Sequence, residues 1–132
     1  MIGLDTSILV RYFTQDDAEQ GRKATKLLHS TLSIEQPGFV SLVTLAELAW
    51  VLRSRYRSTR NEVITIVEAL LTAPNMVVQD ANAVWMALDD CSAPGVGVAD
   101  ALIAAIGRLH QCEYTLTFDE KALRITGSKL LR

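Results

Sequence analysis

The sequence lacks the features that direct a chain into or across a membrane. It shows no basic segment followed by an apolar run near its start, which is the pattern of a secretory leader. It has no apolar stretch long enough to span a bilayer, so we expect no membrane association. The two cysteines, Cys91 and Cys112, stand far apart and form no CxxC pair. We interpret them as ordinary reduced thiols of a cytoplasmic protein.

Histidine and cysteine clusters and an excess of basic charge are also missing. The two histidines, His29 and His110, are isolated in the sequence, so we interpret them as structural or surface residues and predict no zinc site. The chain has 13 basic and 15 acidic residues and a net charge of −2. Net charge therefore gives no sign of a nucleic-acid-binding protein, and any contact with RNA must come from a local basic patch.

What the chain does contain is enough apolar material for one core. Hydrophobic residues make up 49% of its 132 residues and charged residues 21%, which suits a single domain over residues 1–132 and excludes disorder. Apolar residues recur at helical spacing, for example over 63–71 after the capping pair Thr59 and Glu62. Another such stripe follows Asp80, a predicted N-cap.

Short strand-like segments alternate with these helices. They fall at residues 2–4, 38–41, 76–78 and 114–117, and a last one lies near Leu130. This alternation predicts an α/β protein in which a central parallel sheet is covered on both faces, a three-layer α/β/α sandwich. In such sheets the carboxyl ends of the strands share one edge, where ligands bind.

Four acidic residues stand out in this pattern. Asp5 and Asp119 each follow a predicted strand, so parallel strands would place both at the same sheet edge. Glu47 is the only charged residue from 42 to 52, and Asp100 is the only one from 98 to 107. A buried carboxylate needs a partner, and no basic residue is near either acid in the sequence. A hard cation bound by oxygen ligands, Mg²⁺ or Mn²⁺, would supply that partner.

Each acid also has a simpler explanation. Asp5 and Asp119 could be N-caps of the helices that follow them. Thr44 and Glu47 match a capping box, and Asp100 could occupy the first turn of a helix, where the macrodipole favours an acid. Capping, however, does not require four acids to converge on one sheet edge.

Hydroxyl side chains adjoin two of these acids. Thr6, Ser7 and Thr117 could hold metal-bound water, or they could simply satisfy nearby backbone groups. Glu120 is the alternative to Asp119 as the last acid of the site. We favour Asp119 because it follows the strand directly.

A basic segment follows the helix predicted around Glu47. Tyr56 lies within it and could stack on a base while the arginines contact the RNA backbone, or the segment could be a solvated helix end. The arginines of this segment are Arg53, Arg55, Arg57 and Arg60. The two tryptophans of the chain, Trp50 and Trp85, are interpreted as core or interface aromatics.

The order of these motifs resembles a known family. Leu4-Asp5-Thr6-Ser7, Thr44-Leu45-Ala46-Glu47-Leu48, Val98-Ala99-Asp100-Ala101-Leu102-Ile103-Ala104 and Thr117-Phe118-Asp119 occur in that order over essentially the whole chain. The set resembles the PIN-domain nucleases, especially the VapC-type toxins of bacterial toxin–antitoxin pairs.

The resemblance implies an α/β/α fold and RNA cleavage that depends on Mg²⁺ or Mn²⁺. It also implies a homodimer and inhibition by a cognate antitoxin. Carried over residue by residue, it implies catalytic and metal-binding roles for Asp5, Glu47, Asp100 and Asp119, with hydroxyl positions at Thr6 and Ser7.

Two other functions remain open from the sequence. A phosphoacceptor signalling domain also places acids at strand ends in a chain of this length. It usually has paired acids after the first strand and a lysine after the last, whereas Asp5 stands alone. A non-catalytic interaction domain that kept the fold is the second alternative, and a metal titration would separate it from an enzyme.

Overall fold

Helices and short parallel strands alternate along all 132 residues that the computed structural model describes. Packing divides the chain into two units, Met1–Gln79 and Asp80–Arg132. The sequence-based assignment of one domain over 1–132 stays a prediction. None of the helices combines the length and the apolar character that crossing a membrane requires.

The first unit is built around a three-stranded parallel sheet. The central strand pairs with both others, with Gly38 opposite Ile2 on one side and Met76 on the other. The last helical turn of α2 continues into a wider π-helical segment, Leu27–Thr31. The elements of this unit are β1 (Ile2–Gly3), α1 (Thr6–Thr14), α2 (Ala18–Lys26), β2 (Gly38–Val40), α3 (Leu42–Arg55), α4 (Arg60–Thr72) and β3 (Met76–Val78).

Glycine is required at the start of β2 because the central strand runs between packed side chains. A Cβ at Gly38 would lie 2.9 Å from a methyl carbon of Leu32, 2.9 Å from one of Leu4 and 3.1 Å from the sulfur of Met76. Any larger residue would push these apart, because interiors are packed at crystal-like density. The core of this unit is formed by fully buried side chains that include Leu9, Val40, Leu45, Leu48, Leu52, Val63 and Val67.

The second unit contains a two-stranded parallel sheet and two long helices. Its elements are α5 (Ala81–Asp90), α6 (Val98–Leu109), β4 (Thr115–Thr117), a 3₁₀ helix (Glu120–Arg124) and β5 (Ser128–Leu130). Thr115 lies opposite Ser128, and Thr117 opposite Leu130. Small buried residues allow α5 and α6 to pack closely, and Arg108 donates to Asp90 across 2.8 Å.

The predicted α/β class with parallel strands is confirmed, and every predicted strand lies within a residue or two of its expected position. The capping box is confirmed as well: the Thr59 hydroxyl accepts from the Glu62 amide, and the Glu62 carboxylate accepts from the Thr59 amide. The N-cap prediction for Asp80 is only half right. Asp80 precedes α5, but its backbone is left-handed at φ 47°, and its side chain caps no amide.

Candidate active site

Asp5 joins the end of β1 to the start of α1 and caps that helix. Its Oδ2 atom accepts hydrogen bonds from the Ser7 amide, at 3.3 Å, and from the Ser7 hydroxyl, at 2.7 Å. These bonds, the hydroxyl's first, hold the pKa of Asp5 below its ordinary value of 3.8. The capping explanation is therefore correct for Asp5. Both Ser7 bonds go to Oδ2 and the residue is exposed, so these two bonds leave Oδ1 accessible from solvent.

Glu47 lies in the middle of α3 and does not take part in a capping box. The helix begins after Ser41, whose hydroxyl oxygen accepts from the Thr44 amide at 3.1 Å. Thr44 is thus inside the helix, and Glu47 lies one turn further on, too far to reach the N-cap. Its carboxylate forms no hydrogen bond or ion pair and is exposed. The burial that we expected for Glu47 is wrong.

The exposed face of α3 explains why Glu47 is its only charged residue before the last turn. Val43 and Trp50 flank it at helical spacing, 80% and 59% exposed. An apolar but solvent-facing surface produces the same charge-free sequence as a buried one, so the sequence alone could not tell them apart. We interpreted Trp50 as a core or interface aromatic; its exposure excludes the core, and the interface alternative stays a prediction.

Asp5 and Glu47 line the same cavity in the first unit. Its volume is about 320 Å³, and Thr6 and Ser7 also contribute to its wall. The two carboxylates and the hydroxyl groups beside them present only oxygen atoms, which is the donor chemistry that Mg²⁺ and Mn²⁺ prefer. The donor set of this cavity therefore fits a hard cation.

Asp100 lies in the first turn of α6, as the macrodipole explanation predicted. Gly97 caps the helix without a side chain, so no other group competes for its free amides. Asp100 is exposed rather than buried, and the same face of α6 exposes Ile103 at 62%. The expected burial is wrong here too. Asp100 and Thr117 line a smaller cavity of about 150 Å³ within the second unit.

Asp119 follows β4 and caps the 3₁₀ helix. Its Oδ1 accepts from the Lys121 amide at 2.9 Å, and its own amide donates to the Thr117 hydroxyl oxygen at 2.9 Å. The capping explanation is correct for this acid as well, and Thr117 acts on the backbone of Asp119. Glu120 begins the 3₁₀ helix one residue later.

Neither unit by itself gathers three histidine, cysteine, aspartate or glutamate side chains into a metal-binding group. The first unit brings Asp5 and Glu47 to one cavity, and the second brings Asp100 to another, beside Thr117. Asp119 lines neither cavity. The roles of these four acids stay predictions.

Comparison with models of protein families matches the PIN domain over residues 2–128. The chain belongs to the PIN domain family. PIN domains are typically metal-dependent nucleases. No curated protein gives a significant match to the chain.

The structure separates the four arginines of the basic segment in this PIN domain. Only Arg55 lines the cavity with Asp5 and Glu47. Arg53 donates to the Ser58 carbonyl at 2.9 Å, across the end of α3. The other two lie in the connection to α4, Arg57 in a left-handed conformation with φ 54° and Arg60 at the first position of the helix.

Arg11 also lines the acid cavity of the PIN domain, and our sequence reasoning missed it. Its guanidinium donates to both oxygens of Asp16, at 3.0 and 3.1 Å, and to Gln20 at 2.7 Å. The Tyr56 hydroxyl donates to Asp16 at 2.6 Å and, ahead of its other bonds, holds the pKa of Asp16 below 3.8. One turn of α1 separates Ser7 from Arg11, so helical spacing could have indicated their shared face.

Proposed function

We propose that this PIN domain is an endoribonuclease that requires Mg²⁺ or Mn²⁺, with Asp5, Glu47, Asp100 and Asp119 as its metal-binding and catalytic acids. The observation that supports this most is the first-unit cavity, which two exposed carboxylates line without a basic partner bonded to either. A metal-dependent nuclease of this family needs carboxylate oxygens that are free to bind an ion. A carboxylate with a purely structural role does not need free oxygens.

The chain's own residues would divide the work of hydrolysis. A divalent ion held by these acids would supply a more acidic water molecule and would offset negative charge on the scissile phosphate. Ser7 holds the Asp5 carboxylate in one orientation and favours its ionised form. Glu47 has no hydrogen-bond partner, so its carboxylate is free to accept a proton from the attacking water.

The test is cleavage of a mixed pool of RNA by the purified protein. We expect cleavage in Mg²⁺ or Mn²⁺, none in chelator, and recovery when excess ion is restored. Cleavage that persists in chelator would contradict the metal requirement. If the protein cleaves nothing but acquires a covalent phosphate from an acyl phosphate donor, the phosphoacceptor alternative is correct.

We further propose that the protein is the toxin of a toxin–antitoxin pair and acts as a homodimer. The ordered motifs shared with VapC-type toxins support the first part, and we expect a cognate antitoxin to inhibit RNA cleavage. The second part gains support from large apolar side chains that remain exposed, among them Trp85, Met86 and Phe118. Light scattering at micromolar concentration should give the mass of two chains. The mass of one chain would contradict the dimer.

A further inference from the structure

The cavity that Asp5 and Glu47 line also contains a free cation and two aromatic rings. We propose that Trp50 stacks on an unpaired base of single-stranded RNA while Arg55 binds a neighbouring phosphate. This inference rests on the proposed ribonuclease function and assigns the residues that hold its substrate.

Trp50 is placed to meet a ligand rather than to fill a core. It lies three residues after Glu47, so both side chains leave the same face of α3. Its side chain is 59% exposed, and no aromatic ring or cation of the chain packs against it. An indole that is exposed beside a carboxylate offers a flat surface that a nucleobase would cover.

Arg55 is the one cation of this cavity that forms no ion pair within the protein. It lies two helical turns after Glu47, is exposed, and forms no ion pair or hydrogen bond. Arg11 lines the same cavity, but Asp16 and Gln20 occupy its guanidinium. A free guanidinium can bind two phosphate oxygens at once, which favours Arg55 as the phosphate contact.

Tyr56 gives the aromatic surface a fixed component. Its hydroxyl donates to Asp16 at 2.6 Å and lies 3.3 Å from the Arg11 guanidinium, so its ring is held in place at the end of α3. A ring that is ordered before binding loses little conformational entropy when a ligand arrives. Trp50 and Tyr56 therefore combine a free and a fixed aromatic side chain within one cavity.

The same features argue for unpaired RNA and against two other ligands. Bases within a duplex are already stacked and cannot reach a protein ring, whereas unpaired bases can. An acidic peptide segment would also find Arg55, but it would meet the carboxylates of Asp5 and Glu47. A phosphate shares that repulsion, yet a divalent ion held by those acids would offset it.

Fluorescence of Trp50 is a direct probe of stacking. The chain has two tryptophans, so Trp85→Phe leaves Trp50 as the only indole. We expect a short single-stranded RNA of mixed sequence to quench the Trp50 emission to saturation in Mg²⁺ and more weakly in chelator, where no ion offsets the charge of the carboxylates. The same RNA annealed to its complement should quench it far less. Equal quenching by both forms, or none by either in both buffers, would overturn the proposal.

Binding of labelled RNA by variants separates the two contacts. Trp50→Leu should weaken binding about tenfold, and Trp50→Phe should recover much of it, because a phenyl ring still stacks. Arg55→Ala should weaken binding across sequences and reduce the slope of log K against log salt by about one. The matched control is Arg22→Ala, which removes an exposed arginine of α2 that lines no described cavity, and we expect it to bind like the parent.

The outcomes distinguish this inference from the proposed function. If the parent cleaves RNA but the Trp50 and Arg55 variants bind like Arg22→Ala, the assigned contacts are wrong and the ribonuclease stands. If these variants keep RNA binding but lose inhibition by an acidic protein partner, the surface belongs to that partner and the proposal fails. If the parent neither binds nor cleaves RNA, both proposals fail.

Discussion

Replacing Glu47 with glutamine is expected to reduce metal-dependent RNA cleavage by about 100-fold or more while leaving the melting temperature close to that of the parent. The side chain is exposed and forms no hydrogen bond or ion pair, so the folded state loses no contact when the charge is removed. Glutamine keeps the size and the helix preference of glutamate. The loss should therefore fall on chemistry alone and be measured as kcat/KM on one defined RNA.

A control variant tests whether RNA cleavage depends on the position of the carboxylate that is lost. Glu68→Gln makes the same change on the exposed side of α4, away from the described cavities, and should cleave like the parent. Asp100→Asn should behave like Glu47→Gln, since Asp100 is also exposed and without a hydrogen-bond partner. Cleavage that survives in both Glu47→Gln and Asp100→Asn, with both variants folded, would remove these acids from the site.

Secondary structure was the part of this fold that the sequence predicted best. The strands were located because short apolar segments alternate with helical stripes. Burial contributes only at β2 and β3, whose first and last residues are buried, since no residue of β1, β4 or β5 is buried. The capping box at Thr59 and Glu62 formed as predicted, since both side chains reach amides within their own turn. The pairing of strands into sheets of three and two was not predicted, because apolar patterning does not encode which strands hydrogen-bond.

Errors at the site arose where two structures share one sequence pattern. Ser41 and Thr44 are both hydroxyl residues three positions before a suitable partner, and only the backbone shows that Ser41 is the N-cap. A helix without charges is compatible with burial or with an exposed apolar face, and the exposed alternative is correct for Glu47 and Asp100. Contacts between α1 and the end of α3, such as Tyr56 with Arg11, depend on tertiary packing.

His29 shows the opposite case, in which the simple interpretation was correct. Its Nε2 atom lies 2.7 Å from the Tyr12 hydroxyl, and the two rings meet edge to face. The histidine therefore joins the π-helical segment to α1 as a structural residue. An isolated histidine with an aromatic hydrogen-bond partner nearby needs no metal to explain it.

The second large effect expected is the loss of metal-dependent stability in Asp5→Asn. Metal that binds only the folded state stabilises it by mass action, about 2.7 kcal/mol at an ion concentration 100 times the Kd. The parent should therefore melt at a higher temperature in Mn²⁺ than in chelator. The introduced asparagine keeps an oxygen that can accept from the Ser7 amide, and asparagine caps a helix as well as aspartate does. The variant loses the charge that the Ser7 bonds favour, so it should melt slightly below the parent in chelator, and it should show little response to Mn²⁺.

Asp17→Ala provides the opposite control, because Asp17 caps α2 and lines no described cavity. Its Oδ1 accepts from the Gln20 amide at 2.9 Å, and its loss should cost about 1 kcal/mol in chelator and in Mn²⁺ alike. The measurement is six melting curves, three proteins in two buffers, at neutral pH.

The pKa of Asp5 in the folded protein lies below 3.8. Asp5 therefore contributes its charge-dependent stability at pH values above 3.8 and loses it as pH falls through the lowered pKa. Neutral pH therefore lies well inside the range where Asp5 is ionised. If the parent shows no metal-dependent shift, or if Asp5→Asn keeps that shift in full, Asp5 is a helix cap and not a metal ligand.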